Sequence, residues 1–364
     1  MANLFFIQTP FQLLIAQQII YQEGLVDNIM IYGYVHNNSH FLDIYNIIKI
    51  RKFWKTSFFM SHIADWGIFQ IRHFRKSVKL TWCNVNFIND VIKKSSVDWL
   101  YIGDQTNVTY ILIDYLFHKR CKIGIFEEGS GHYFMPHRKK NEKVSLKTKL
   151  HSYLLCFGYY WPFLNIDLRY IKMAKGYDLK KLYIDRRYSV VPYYYEPFDV
   201  ILSSKLQLSN ALKQYIIDEL GKVDPQKSVL LLSTVCESNV EKDLYLSNLN
   251  NYLLRLNMET KLYVKFHPRE PENSKCQVLN IIDSYGLDYT IIGVRYNIPI
   301  EYYLQYFKFR EVCCFFTSTS LYNGYLFDKT KFLFLSKDYI NQSKAFDSAN
   351  LYWKEMSKII ELSE

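Results

Sequence analysis

Glycine and proline are sparse in this chain of 364 residues, at 13 and 9, so neither a collagen-like nor a low-complexity architecture fits. Charged residues make up only 22% against 49% hydrophobic ones, which excludes a disordered tail protein. The charge that is present is short of acid: 35 Asp and Glu face 45 Lys and Arg, and the resulting +10 points to an anionic partner. Nucleic acid, an acidic membrane surface and a negatively charged small substrate all satisfy that charge. No C-x-x-C spacing occurs among the seven cysteines (Cys83, Cys121, Cys156, Cys236, Cys276, Cys313, Cys314), most of which lie in apolar runs such as VCCFF, so they read as reduced, buried and cytosolic. No apolar run reaches the length of a membrane span. The first basic residue is Lys49 and Gln8, Thr9, Gln12, Gln17 and Gln18 interrupt the early apolar stretch, so a secretory signal is not expected.

Several catalytic signatures are missing as well. The chain has no G-x-x-x-x-G-K-[ST] and no G-x-G-x-x-G, which removes support for P-loop and classical dinucleotide sites. No two aspartates stand two apart, and no His/Cys spacing suggests zinc, so no metal site is expected. His132, His137 and His151 read as surface residues.

What is present is a repeated alternation of short apolar runs and helical periods, the pattern of βαβ units and a parallel sheet. Strands are predicted at Leu4 to Ile7, Ile29 to Tyr34, Thr56 to Met60, Leu80 to Val85, Trp99 to Ile102 and Lys122 to Phe126, with a helix opening at Pro10 and stopping at Gly24. A second series follows residue 226: SVLLLST, a helix near 241 to 255, KLYVKF, a helix near 274 to 284, TIIGV, a helix near 300 to 307, VCCFFTS and KFLFL. Two Rossmann-like halves fit this better than one sheet of about ten strands. The expected division is a first domain over 1–200, a second over 201–346, and a terminal helix over 347–364 that returns to the first. The stretch from 135 to 225 departs from the pattern, with prolines and tyrosines where a linker would sit.

Parallel α/β sheets hold ligands outside the carboxyl ends of their strands, so the residues after each strand carry the functional reading. After KIGIF come Glu127, Glu128 and Gly129; one carboxylate can raise the pKa of its neighbour and make it a usable base. After KLYVKF come His267 and Pro268, flanked by Lys265 and Arg269, a setting suited to a phosphate oxygen or a leaving group. After VCCFF come Thr317, Ser318, Thr319 and Ser320, followed by a helical LYNGYLF, which reads as an anion site at a helix start.

Together with TPFQ (Thr9 to Gln12) after the first strand, these motifs resemble, over most of the chain, the bacterial sialyltransferases of glycosyltransferase family 52, with the polysialyltransferases as relatives. The resemblance implies a GT-B fold, two Rossmann-like domains facing across a cleft. It further implies a metal-independent, inverting transfer from CMP-sialic acid to a glycan hydroxyl, with no cofactor. Glu128 would be the base, with Glu127 supporting it; His267 would assist CMP departure as acid or as phosphate donor. Ser318 and Thr319 would hold the CMP phosphate and Lys265 would add charge, with Thr9, Gln12, Gly129, Pro268 and Ser320 completing the substrate site. The acidic pair is Glu at both positions, where Asp is frequent in the family.

Two other readings compete. A CDP-alditol phosphotransferase of teichoic-acid type shares the fold and strand-end His residues, but needs no acidic pair as a base. A single-strand nucleic-acid binder would use the 17% aromatic content, yet the aromatics lie in apolar runs and the cations form no stripe beside them, so no nucleic-acid partner is expected. The expected partners are a nucleotide-sugar donor and a glycan or glycolipid acceptor, with room for oligomers. Arg138, Lys139, Lys140, Lys143, Lys147 and Lys149 precede an apolar stretch from Tyr153 to Leu164, a pattern that fits either an anionic membrane surface or a solvated loop and core helix. The expected location is cytoplasmic, with peripheral attachment to the inner membrane face as an option.

Overall fold

A computed structural model describes residues 2–33, 41–60, 83, 86–88, 90–103, 121–127, 185–192, 199–203, 205–236, 238–315 and 317–336. The chain divides into two compact units, Met1–Phe41 with Lys49–Gln207, and Leu42–Ile48 with Leu208–Glu364.

The first unit carries a seven-stranded sheet: β1 (Ala2–Ile7), β2 (Asn28–Gly33), β3 (Thr56–Met60), β4 (Val97–Ile102), β5 (Lys122–Phe126), β6 (Arg186–Ser189) and β7 (Asp199–Ile201), in the order β3-β2-β1-β4-β5-β6-β7. Every pairing is parallel; Leu4 sits between Ile29 of β2 and Leu100 of β4. A strand covered on both faces must be apolar throughout, and β1 accordingly buries Leu4, Phe5, Phe6 and Ile7 completely or nearly so.

Helix α1 (Pro10–Glu23) begins where Pro10 has a preset φ and no N–H to satisfy, and ends where Gly24 takes the left-handed φ of 61°. Gln12, Gln17 and Gln18 are buried with its leucines and isoleucines. Gln17 accepts the Ile50 backbone N–H at 2.7 Å and Gln12 accepts that of Gln8 at 2.7 Å, so the polar breaks in the early apolar stretch are internal hydrogen-bonding groups.

The second unit carries β8 (Ser228–Leu232), β9 (Lys261–Lys265), β10 (Tyr289–Ile291), β11 (Glu311–Cys314) and β12 (Phe332–Phe334), all parallel, in the order β10-β9-β8-β11-β12. Helix α2 (Phe41–Ile48) joins this unit apart from its first residue, and the Ser209 hydroxyl donates to the Ile47 carbonyl there. Ser209 also caps α3 (Asn210–Leu220), while α4 (Asn239–Leu253), α5 (Glu272–Ser284) and α6 (Ile300–Tyr306) connect the strands. The core joins Val229, Leu231 and Val264 of the sheet to Leu249 and Ile282 of the helices.

Both sheets therefore run third-second-first-fourth in chain order. The crossover direction reverses between β1 and β4 in one unit and between β8 and β11 in the other, and the crevice beyond such a reversal is where ligands of open α/β sheets bind.

Some expectations fail. Of the strand predicted over Leu80 to Val85 only Cys83 is described, and it is helical. Strands β6 and β7 lie in the stretch read as linker-like. The helix predicted over LYNGYLF is instead a 3-10 turn, Ser318–Tyr322, followed by turns. Asn323 closes those turns, donating to the Thr330 carbonyl at 3.0 Å and accepting its N–H at 2.8 Å, and Gly324 has φ of 80°. Cys313 and Cys314 are buried, but Cys83 and Cys276 are exposed; all described cysteines are free thiols. The terminal segment 347–364, Cys156, the basic run from Arg138 to Lys149 and the apolar stretch after it lie outside the described residues.

Candidate active site

All four motifs stand beyond the carboxyl ends of parallel strands: Thr9 after β1, Glu127 after β5, His267 after β9 and Ser318 after β11. The first unit brings two of them together. Thr9 is the N-cap of α1, its hydroxyl accepting the Gln12 N–H at 3.1 Å, and Gln12 turns its fully buried side chain toward the sheet. There it meets Gly103, just past β4, whose missing side chain leaves room for both Gln12 and the Phe126 ring. Phe126 is the residue before Glu127, so TPFQ and Glu127 share one packed floor.

Glu127 is completely buried, and its Oε2 accepts the Val190 N–H at 2.8 Å while its backbone N–H donates to the Tyr188 carbonyl at 3.2 Å. These bonds tie the end of β5 to the segment after β6. Glu128 and Gly129 lie outside the described residues.

In the second unit His267 opens a four-residue turn. Glu270 N–H donates back to the His267 carbonyl at 2.9 Å, and Arg269 N–H donates to His267 Nδ1 at 3.2 Å. An imidazole nitrogen that accepts carries no proton, so the neutral ring has its proton on Nε2. Burial first, then the charges of Arg269 and Lys265, hold His267 below the usual histidine range. The ring is thus a neutral Nε2–H donor at neutral pH. Pro268 and Arg269 are exposed.

Lys265 does not stand beside His267 as a surface cation. It is buried, with Nζ 3.3 Å from Asn297 Oδ1 and 5.8 Å from the centre of the Tyr303 ring, and Gly293 passes so close that a Cβ there would meet Nζ at 2.6 Å. Burial pushes its pKa down to about 8, against the opposing pull of Glu219 and Glu301. Glu219 in turn accepts from Gly293 N–H at 3.0 Å, from Tyr303 at 2.5 Å and from Tyr215 at 2.8 Å.

The hydroxyl run divides by direction. Thr319 donates to Glu301 at 2.9 Å, Ser320 donates to the Thr317 carbonyl at 2.9 Å, and Thr317 accepts from Thr319 N–H at 3.2 Å as the cap of the turn. Thr319 and Ser320 are both buried, so their side chains hold the turn rather than face a ligand. Ser318 is half-buried, and its hydroxyl makes no hydrogen bond among the described residues.

Sequence reasoning missed Glu219, Glu270 and Glu301. Glu219 and Glu301 lie within α3 and α6 and Glu270 stands just before α5, and each also meets a partner far along the chain (Gly293, Thr319 and Ser233), which no local spacing marks. Among the described residues, no cluster of three or more His, Cys, Asp or Glu is arranged to hold a metal ion, and no helix is long and apolar enough to cross a membrane.

Paired Rossmann-like units of this kind define a GT-B-like α/β fold. The chain is similar in structure to a putative UDP-N-acetylglucosamine 2-epimerase from Listeria monocytogenes, at 14% identity and a TM-score of 0.50, covering 88% of this chain and 75% of that one. It is also similar to UGT71G1 from Medicago truncatula complexed with UDP-glucose, at 11% identity and a TM-score of 0.47, covering 86% and 75%. No curated protein sequence matches. The family model for alpha-2,8-polysialyltransferase (POLYST) matches residues 3–336, and the chain belongs to that family. It is a glycosyltransferase of the sialyltransferase type.

Proposed function

We propose that the enzyme moves sialic acid from CMP-sialic acid to a hydroxyl of a cell-surface glycan, a lipooligosaccharide or capsule chain, with inversion and without a metal ion. The observation that carries this reading is the family match over residues 3–336, whose sialyltransferase-like motifs stand at the carboxyl ends of parallel strands in both units. In the step proposed, the acceptor oxygen attacks the anomeric carbon of the sialic acid and the bond from that carbon to the CMP phosphate oxygen breaks. The hydroxyl proton passes to Glu128, and the electron pair leaves with CMP. His267 Nε2–H and the Ser318 hydroxyl then donate to phosphate oxygens as negative charge develops there. A nucleoside monophosphate carries less charge than a diphosphate, so neutral donors suffice to stabilise it.

The test is CMP release with a glycan acceptor, run with CMP-sialic acid and with CDP-glycerol, each with and without EDTA. Turnover of CMP-sialic acid that EDTA leaves unchanged is expected. Turnover of CDP-glycerol alone would overturn the reading in favour of a phosphotransferase, and strict dependence on Mg²⁺ or Mn²⁺ would overturn its metal-free part.

A further inference from the structure

The turn that presents His267 is held from beneath by a chain of side chains that no motif includes. Tyr245 of α4 donates to Ser233 Oγ at 3.2 Å, and Ser233, the first residue after β8, donates to Glu270 Oε1 at 2.8 Å. The second carboxylate oxygen, Oε2, accepts the backbone N–H of His267 at 3.3 Å. Glu270 N–H already donates to the His267 carbonyl, so Glu270 grips both peptide groups of His267, one with its side chain and one with its backbone. Ser233 N–H is meanwhile fixed to the Lys265 carbonyl at 3.0 Å, which locks the far end of the chain to the strand that leads into the turn. Tyr245 and Glu270 are both buried, and Tyr245 packs its ring against Phe315 at 5.5 Å, beyond the end of β11.

From this network we infer that Glu270 is a positioning residue for the sialyl transfer: it fixes the backbone of His267, and through the turn the Arg269 N–H that selects the Nε2–H form of the ring. It touches no substrate. Its two oxygens meet two donors from different elements, the end of β8 and the His267 turn, and a side chain that accepts neither leaves both N–H and O–H unpaired inside the unit. Burial raises the Glu270 pKa, and the two donors work against that rise. This inference rests on the proposed role of His267 in the transfer.

Glu270→Met keeps length and volume but accepts nothing, whereas Glu270→Gln retains one oxygen for the His267 N–H and turns its amide toward Ser233 Oγ. Glu270→Met is expected to lower kcat by about tenfold to a hundredfold with donor KM changed less than about threefold, because a small misplacement of a group acting in the transition state costs rate before it costs binding. Glu270→Gln is expected to recover most of that loss. Alongside, ¹⁵N-histidine spectra, with His267 identified by its loss in His267→Ala, are expected to show the Nε2–H form in wild type and a mixture of forms in Glu270→Met. Should Glu270→Met not fold, Glu270→Ala is read by the same two measures. Wild-type kcat and an unchanged His267 spectrum in the variant would overturn the inference. If wild type itself releases no CMP from CMP-sialic acid, the functional reading fails, and the spectrum alone then decides whether Glu270 sets the ring.

Discussion

Replacing Gly103 by alanine is the sharpest steric probe of the first unit's floor. The added Cβ would lie 2.5 Å from Cε2 of Phe126 and 2.8 Å from both Cγ and Cδ of Gln12, where carbon atoms in contact normally stand about 3.5–4.0 Å apart. Ring and amide must each retreat by about 1 Å. Neither has room: Phe126 and Gln12 are both fully buried, and Gln12 is held by the Gln8 N–H at 2.7 Å. Gly103 lies outside the left-handed region, so the penalty is steric and not conformational. Overpacking of this kind costs about 1–3 kcal/mol. The strain is also directed, because Phe126 precedes Glu127 and any shift of its backbone carries into Glu127. We therefore expect Gly103→Ala to lose about 1–3 kcal/mol in urea unfolding and to lose turnover by about tenfold or more under conditions where it remains folded. A variant with wild-type stability and wild-type turnover would refute the shared floor.

Glu128→Gln should cost about a hundredfold or more in kcat while leaving CMP binding nearly intact, since a base acts on the acceptor proton and not on the nucleotide; turnover within a fewfold of wild type would remove Glu128 from the mechanism. Lys265 gives a pH prediction of definite sign. Its native pKa of about 8 lies below the unfolded value of 10.5, so between those values the unfolded chain binds more protons and the contribution of Lys265 to stability rises with pH. Against Lys265→Met, wild type should gain stability between about pH 8 and 9.5 by at most about 1.4 kcal/mol per pH unit, measured by urea unfolding; parallel curves would show that Lys265 does not titrate there.

The sequence made the sheets legible because buried parallel strands must be continuous apolar runs, and FFI, IMI, VLLL and VCC are such runs. Helix α1 was legible from its punctuation, Pro10 and Gly24, and it runs Pro10–Glu23 as expected. Strands β6 and β7 were hidden because RRYS and DVI are short, polar at the start and set among prolines and tyrosines, so their strand character comes from pairing, β6 with β5 and β7 with β6, and not from local pattern. The buried carboxylates were hidden for a related reason. Glu270 meets Ser233 across 37 positions and Glu219 meets Gly293 across 74, and a separation of that size leaves no periodic trace.

The hydroxyl run shows where composition misleads about chemistry. Four adjacent Ser and Thr residues read as four ligand donors, but a chain turning sharply after a buried strand has its own polar groups to satisfy before it can serve a substrate. Thr317 caps the turn, Ser320 bonds back to it, and Thr319 reaches Glu301, so of the four only the Ser318 hydroxyl makes no hydrogen bond among the described residues. The same division holds at the other motifs. Glu127 serves Val190, Gln12 serves Gln8, and the Nδ1 side of His267 serves Arg269, while Nε2 is left as a donor. In each motif the greater part of the polar capacity is spent on fixing geometry. One donor per turn, held rigidly, is what electrostatic stabilisation of a leaving phosphate requires, because a donor that is already aimed costs no reorganisation when the charge develops.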